Sequence, residues 1–258
     1  MNTISIDDLI DISLQAGALV LENGGETYRA EETSVRIARA LGAQNASSFV
    51  APTVVIVSAT DSDLSYHTAM RRITRRTVNL KKIAQVNDLS RRLASRGKTS
   101  NPRQVENLLD RIRRTPEHPD WLVTCMAALS SLFFALMFGG GWMEAAASFV
   151  IGMILRVVLL FLDKFLLNNF ILSVISGGLI SVLSESVLIL GLVPSSVTVM
   201  TAVLMQVVPG LAIVNAIRDL ISGDLMAGTA RLVDAFMVAA GLSAGSAFGV
   251  LVFSHVLF

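Results

Sequence analysis

Five long apolar stretches follow one another from residue 121 to the C-terminus. A helix rises about 1.5 Å per residue, so about 20 residues cross a hydrocarbon layer about 30 Å thick. Each stretch is about that long, and Gly, Asn, Asp or Pro residues interrupt the pattern between them. The pattern predicts five transmembrane helices, over residues 121–138, 142–162, 170–190, 195–217 and 232–258.

Basic residues concentrate ahead of these stretches and indicate how the chain is oriented. All but four of the 21 Lys and Arg residues precede residue 121. The others are Arg156, Lys164, Arg218 and Arg231, of which the last three lie in the second and fourth connections. Lys and Arg next to apolar segments are retained in the cytoplasm. Five crossings from a cytoplasmic N-terminus satisfy this rule, and they place the C-terminus outside. The N-terminus lacks the basic region of a cleavable signal, so the first crossing is expected to direct insertion.

The residues ahead of the first crossing mix helical patterns with a β-branched run, which predicts a folded α+β domain. The apolar spacing predicts helices over residues 6–21, 28–41, 80–97 and 101–112. A β-hairpin is predicted between them, with strands at 49–59 and 64–69 and a turn at 61–63. The predicted architecture is a cytoplasmic α+β domain over residues 1–120, followed by an α-helical membrane domain over 121–258.

Polar residues inside the predicted crossings are candidates for function, because a polar group that faces lipid is unfavourable. They recur at steps of four, which places each row on one face of its helix. The charged or amide members are Glu144, Arg156, Glu185 and Gln206. Glu185 lies inside the third crossing without a basic neighbour in sequence, which favours a role in carrying protons. Glu144 and Arg156 either line a path or reach the membrane interfaces. The small residues in the same rows are expected to pack helices closely.

The fourth crossing contains Pro209 and Gly210, which interrupt its helical pattern. In transporters such breaks place helix ends and free carbonyl groups beside the substrate. Asn215, Arg218 and Asp219 follow on adjoining turns. The segment is therefore either a binding site or a simple kink.

Other site types find little support in the sequence. Residues 241–245 match the G-x-S-x-G pattern of hydrolases, but they lie in a continuous apolar helix, whereas that motif needs a strand-to-helix turn. The three His residues have no metal-ligand spacing, and Cys125 is the only cysteine. The basic clusters at 71–76 and 111–114 lack interleaved aromatic residues, which disfavours nucleic acid and leaves membrane lipid or plain retention in the cytoplasm. An enzyme, a cofactor and a metal are not expected.

Four segments carry a more specific pattern than hydropathy. They are residues 24–33, Pro52-Thr53 with the β run after it, residues 79–91, and residues 209–224 with Gly228 and Arg231. Together they resemble the threonine/serine exporter family, and within it the large subunit of the two-component bacterial type. The resemblance spans most of the chain, and its last segment is the most specific.

The resemblance implies export of a small polar metabolite across the bacterial inner membrane, driven by the proton gradient. It also implies a partner, a smaller four-crossing membrane subunit. The split type suggests succinate or a related dicarboxylate, and the family name suggests threonine and serine. Both classes carry a carboxylate that an arginine could hold by two parallel hydrogen bonds. The number of copies per assembly, a homo-oligomer included, stays open.

The mechanistic hypothesis assigns the polar residues of the crossings to two roles. Substrate binding is assigned to Arg218, Arg156, Asn215, Gln206, Pro209 and Gly210, and proton coupling to Glu185, Asp219 and Glu144. The rival class is a membrane protein without transport activity, whose N-terminal domain binds a regulator or lipid while the helices serve as an anchor.

Overall fold

A computed structural model of the protein describes residues 5–60, 65–96, 101–116, 118–165 and 167–257. These residues are mostly helical and contain one small sheet. In chain order the elements are α1 (Ile6–Glu22), α2 (Thr27–Leu41), β1 (Ala46–Ala51), β2 (Val54–Thr60), β3 (Tyr66–Arg72), α3 (Leu80–Arg96), α4 (Pro102–Arg113), α5 (Asp120–Met137), α6 (Trp142–Leu162), α7 (Asn169–Ile189), α8 (Ser196–Leu204), α9 (Gly210–Ile221) and α10 (Leu225–Leu257). A 3-10 turn over Asp163–Phe165 follows α6.

The chain forms two compact units. The first unit combines Met1–Pro116 with Leu211–Leu232, and the second combines Glu117–Gly210 with Val233–Phe258. The first unit therefore includes a segment, α9 and the start of α10, that lies within the membrane domain predicted from the sequence.

The sheet of the first unit has three antiparallel strands in the order β1-β2-β3. The sequence analysis predicted a hairpin with a single first strand over residues 49–59, and this is wrong. The chain turns at Pro52-Thr53, so that Ala51 pairs with Val54. Proline has no N–H to donate to a strand ladder, which is why the β-branched run divides into two strands. The predicted turn at residues 61–63 lies outside the described residues.

Helices α1 and α2 supply much of the core of the first unit. The side chains of Ile10, Leu19, Leu21 and Ile37 are almost completely buried against the sheet strands and the other helices. Gly24 follows α1 with a φ of 89°, a left-handed conformation that favours glycine. This turn lets α2 begin directly at Thr27.

Among the described residues, four helical segments are long and apolar enough to cross a membrane. They are Asp120–Met137, Trp142–Phe165, Asn169–Ile189 and Leu225–Phe253. The predicted fourth crossing is instead divided into the short helices α8 and α9, with a non-helical break before Gly210. Pro209 lies in the break, and its missing N–H cannot support a continuous helix. Five crossings stay a prediction, and they would require α8 and α9 to cross together.

Glycines bring α7 and α10 into close contact within the second unit. A Cβ built on Gly245 would overlap the carbonyl oxygen of Val174, and one on Gly249 would lie 2.8 Å from the carbonyl oxygen of Gly178. Residues 241–245 lie within α10. The resemblance to the hydrolase motif is therefore a helix-packing pattern, because that motif needs a strand-to-helix turn.

Candidate functional site

A group of charged residues in the first unit joins the start of α2 to α9 and the start of α10. We call the charged residues Glu26, Arg218, Asp219 and Arg231, together with Thr27, which donates hydrogen bonds to Asp219, the charged cluster. The side chain of Asp219 is fully buried, and those of Glu26 and Arg231 are 5% and 7% exposed. Charged side chains are rarely buried to this extent unless they are paired.

Asp219 caps helix α2 from a distant part of the chain. Glu26, the N-cap residue of α2, does not use its own side chain for this purpose. The Asp219 Oδ1 atom instead accepts hydrogen bonds from the Thr27 hydroxyl at 2.9 Å and the Thr27 backbone N–H at 3.4 Å. A carboxylate at a helix N-terminus satisfies a free backbone donor and interacts favourably with the helix dipole.

Arg231 completes the buried part of the cluster. Its Nε atom lies 3.1 Å from the Asp219 Oδ2 atom, and its Nη2 atom donates to the Gly25 carbonyl oxygen at 2.9 Å. Asn215 adds a parallel contact, since its Nδ2 atom donates to the Gly24 carbonyl oxygen at 2.9 Å. The turn at Gly24 and Gly25 thus supplies two backbone acceptors to this part of the unit.

Glu26 lies between two arginines. Its carboxylate is 2.6 Å from the Arg218 Nη1 atom and 3.3 Å from the Arg29 Nη1 atom. Burial alone would raise the pKa of Glu26, but a backbone hydrogen bond and the two guanidinium groups together hold it below its usual value. Glu26 is therefore a stable carboxylate near neutral pH.

The pKa of Glu31 is shifted in the opposite direction from that of Glu26. Burial, together with the nearby carboxylates of Asp224 and Asp219, raises the pKa of Glu31, although its Oε1 atom accepts a hydrogen bond from the Val50 N–H. A folded-state pKa above the unfolded value contributes stability at low pH, and this contribution is lost as the pH rises through the folded-state pKa. The ionised form of Glu31 is therefore unfavourable in the folded protein at neutral pH.

Replacing Glu31 by Gln is expected to raise the thermal unfolding midpoint of the detergent-solubilised chain by a few degrees at about pH 7.5. The gain should shrink as the pH falls into the acid range, because the raised pKa of Glu31 lets the unaltered protein take up a proton there. Glu32→Gln is the control, because Glu32 is well exposed and pairs with Arg36. Equal shifts for both variants, or a gain that grows at low pH, would contradict the prediction.

A second polar group lies in the second unit, where α5, α6 and the break after α8 meet. The Gln206 Nε2 atom donates to the Ser131 hydroxyl oxygen at 2.5 Å. Gly152 of α6 faces the same contact, since a Cβ there would overlap Gln206 Nε2 and lie 2.8 Å from Ser131 Oγ. One turn further along α6, the buried Nε atom of Arg156 has no hydrogen-bond partner among the described residues. An unsatisfied guanidinium donor in this setting suits an anionic ligand.

Gly152→Ala is expected to break the Ser131–Gln206 hydrogen bond and to destabilise the protein by about 1–3 kcal/mol, because the new methyl group has no room. The thermal unfolding midpoint of the protein in detergent measures this loss of stability. Gly178→Ala is the matched control on α7, where the nearest atom to an added Cβ is 3.5 Å away. Equal midpoints for the two variants would contradict the close packing at Gly152.

Two carboxyl groups lie at the end of the second unit where α6 starts and α7 ends. The Glu144 Oε2 atom accepts the backbone N–H of Gly141 at 2.9 Å, which caps α6. Glu185 accepts a hydrogen bond from the Ser196 hydroxyl at 2.9 Å. Beside Glu144, Gly140 packs against the start of α8, because a Cβ on Gly140 would lie 3.2 Å from Glu144 Cβ and 2.9 Å from Thr198 Cγ2.

The residues predicted as a site from the sequence thus fall into two groups. Asn215, Arg218 and Asp219 belong to the first unit, where each contacts residues 24–27. The others belong to the second unit and are Glu144, Arg156, Glu185, Gln206, Pro209 and Gly210. Their roles in transport stay predictions. No group of three or more His, Cys, Asp or Glu residues within the described ranges could hold a metal ion.

The sequence analysis did not assign Glu26, Thr27 or Arg231 to a site. All three occur in the segments that carry the family resemblance, residues 24–33 and residues 209–224 with Gly228 and Arg231. The signal that could have identified them was the combination of an acidic residue in the first segment with arginines in the last one. An acid and two arginines in segments of one folded unit are candidates to neutralise one another.

Comparison with known proteins agrees with the sequence resemblance. The threonine/serine exporter family model matches residues 11–253. "Probable succinate transporter subunit YjjP" of Klebsiella aerogenes is 25% identical over 228 residues, which cover 85% of this chain and 84% of that protein. The protein of the same name in Escherichia coli is 26% identical over 228 residues, 85% of each chain.

A longer relative is also similar to the chain. "Probable threonine/serine exporter" of Mycobacterium tuberculosis is 25% identical over 248 residues, which cover 93% of this chain but only 46% of that protein. No solved structure matches the chain. The family match over nearly the whole chain and the apolar helices lead to one conclusion. This membrane protein belongs to the threonine/serine exporter family of transporters.

Proposed function

We propose that the chain is the large subunit of a two-component exporter of small carboxylates, with succinate or a related dicarboxylate as substrate and the proton gradient as driving force. The observation that carries the carboxylate assignment is the Arg156 Nε atom, a buried guanidinium donor that no described residue satisfies. A substrate carboxylate would supply both the missing acceptor and the missing negative charge.

The surroundings of Arg156 support this assignment. The Ser131–Gln206 contact lies one helical turn away along α6 and holds the break after α8 against α5. A break of this kind leaves backbone groups free to bind a ligand, which is the role we propose for Pro209 and Gly210. We assign Gln206 to the second end of the substrate and Glu185 and Glu144 to proton uptake.

Arg218 and Asp219 have a different setting from Arg156. Their charges are already matched, Arg218 by Glu26 and Asp219 by Arg231. We propose that these two residues and Asn215 hold α9 in the first unit, and that substrate and protons interact with the second unit.

The choice of succinate over an amino acid rests on the relatives. Two relatives named as succinate transporter subunits align along about 85% of their length. The chain spans about half of the Mycobacterium relative. This length relation favours the two-component type, whose second component we propose to be a small four-crossing subunit in the bacterial inner membrane. Export of threonine or serine is the second candidate, because the family and the Mycobacterium protein carry that name.

Reconstitution tests the proposal directly. The chain and its small partner, purified separately and together, are incorporated into vesicles loaded with labelled succinate, threonine or serine, and a proton gradient is imposed. We expect gradient-dependent release of succinate only when both subunits are present. Release of threonine or serine instead would favour the second candidate. No release of any of the three by correctly inserted subunits would overturn the proposal. The same vesicles, treated with protease from outside, test the proposed cytoplasmic N-terminus and external C-terminus.

A further inference from the structure

The serines of helices α6 and α7 fall into two classes. On α7, four serine hydroxyls donate to the carbonyl oxygen four residues earlier, at 2.7 to 2.9 Å, and they belong to Ser173, Ser176, Ser181 and Ser186. Ser148 of α6 and Ser184 of α7 differ. Both residues are 0% exposed, and within the described part of the chain their Oγ atoms have no hydrogen-bond partner.

The difference is chemically informative because a helical serine always has a nearby acceptor. Bonding to the carbonyl four residues earlier satisfies the hydroxyl without any ligand. A buried hydroxyl that leaves this acceptor unused loses a hydrogen bond, and buried polar groups in folded proteins are rarely left in that state. Ser148 and Ser184 can therefore bond a partner outside their own helix.

The two hydroxyls lie at the same depth of the unit. Ile151 of α6 and Ile180 of α7 belong to one buried apolar cluster. Ser148 lies 14 residues before the end of α6 at Leu162, and Ser184 lies 15 residues after the start of α7 at Asn169. Consecutive helices joined by a short connection run antiparallel, so the two serines lie at about the same distance from the connection between α6 and α7.

Ionisable groups flank this layer on both sides. Toward the start of α6, Glu144 is one turn from Ser148, and Glu185 follows Ser184 and is bonded to Ser196. In the other direction, the face of α6 that carries Ser148 continues to Gly152 and Arg156. Helix α8, which packs against both α6 and α7, has no ionisable side chain. The two hydroxyls thus lie between the carboxyl groups and the proposed carboxylate site.

We propose that Ser148 and Ser184 bind water and relay protons between the carboxyl group of Glu185 or Glu144 and a substrate carboxylate bound at Arg156. A water molecule protonated from a carboxyl group donates to a serine Oγ, and that hydroxyl passes its own hydrogen to the next water. One proton moves per cycle, no charge stays on the serine, and rotation of the hydroxyl restores the starting state. The inference rests on the proposed proton-driven export and names the residues of its proton route.

Cysteine accessibility tests whether water reaches these positions. Cys125, the only cysteine in the chain, is first replaced by Ala. Ser148→Cys, Ser184→Cys and the control Ser181→Cys are then compared in membranes that contain the full chain and its partner subunit. A small charged methanethiosulfonate reacts with the thiolate, which requires water. Positions 148 and 184 should react at least about tenfold faster than position 181, which is equally buried but has a satisfied hydroxyl. Equal, slow labelling of all three positions would overturn the relay.

Alanine variants give an independent readout. Ser148→Ala and Ser184→Ala should slow proton-driven export about tenfold, while exchange of labelled for unlabelled substrate, which moves no net proton, stays within about twofold. Ser181→Ala and Ser176→Ala should leave both rates unchanged. Equal effects of the four variants, or an equal loss of exchange and export, would overturn the relay. If the unaltered pair exports no substrate, the proposed function fails. If it exports while positions 148 and 184 stay unlabelled, only the relay fails.

Discussion

Arg231→Gln is expected to destabilise the first unit by about 3–5 kcal/mol, a large part of the roughly 5–15 kcal/mol that keeps a domain folded. The substitution removes the cation that neutralises Asp219 and leaves a fully buried carboxylate next to the start of α2. Asp219→Asn should have a similar effect, because it leaves the Arg231 guanidinium buried without its counter-charge. Thermal unfolding and protease resistance of the detergent-solubilised chain measure the loss.

The matched control is Arg218→Gln. Arg218 also belongs to the charged cluster, but its side chain is 58% exposed and its partner Glu26 keeps a second arginine, Arg29. Exposed ion pairs contribute at most about 1 kcal/mol, so this variant should stay close to the unaltered protein. Replacing both members of the buried pair, as Asp219→Leu with Arg231→Met, should recover part of the stability. Equal midpoints for Arg218→Gln and Arg231→Gln would show that burial does not distinguish the two pairs.

Arg156→Gln is expected to lower the initial rate of succinate export about 10- to 100-fold while the protein stays folded and inserted. A hydrogen bond to a charged group contributes roughly 1.5–3 kcal/mol to binding. A change of about 1.4 kcal/mol in binding free energy corresponds to about a tenfold change in affinity. The glutamine lacks both the charge and the planar pair of donors that hold a carboxylate. Initial rates in vesicles that contain both subunits, over a range of succinate concentrations, measure the effect.

Two further variants separate charge from geometry at this position. Arg156→Lys keeps the charge without the paired donors and should give an intermediate rate. Lys164→Gln removes a charge from the exposed end of the same helical segment and should leave the rate within about twofold. An unchanged rate for Arg156→Gln would remove Arg156 from the substrate site. A loss as large for Lys164→Gln would point to insertion as the cause.

Most helices of the chain could be predicted from the spacing of apolar residues and from the Gly, Pro and Asn residues that interrupt the pattern. The predicted ends of the first two helices, at residues 21 and 41, agree with the structure to within one residue, and Gly24 and Gly42 follow them with positive φ. The errors occur at prolines. Pro52 divides the predicted first strand into two, and Pro209 lies in the break that divides the predicted fourth crossing. In both places the side-chain pattern continues across a residue that has no backbone donor, so hydropathy alone reports one element where the backbone forms two.

The candidate site was less accessible to sequence analysis than the fold. Arg218 was predicted to bind substrate, and that role stays a prediction. The sequence did not indicate that its guanidinium lies against Glu26, 192 positions earlier in the chain. Apolar periodicity shows which face of a helix is buried, and it carries no information about which distant side chain meets that face. The same limit applies to Ser148 and Ser184, whose spacing resembles that of the bonded serines.

The sequence of this chain was sufficient to identify its apolar helices, the concentration of basic residues ahead of them and the family to which it belongs. These properties follow from local chemistry, because helix length, hydropathy and charge act residue by residue along the chain. The folded chain alone reveals that Asp219 caps α2 and is neutralised by Arg231, and that Arg156 has a donor without an acceptor among the described residues. Those properties depend on distances of about 3 Å between residues far apart in sequence, and such distances arise only when the helices pack together.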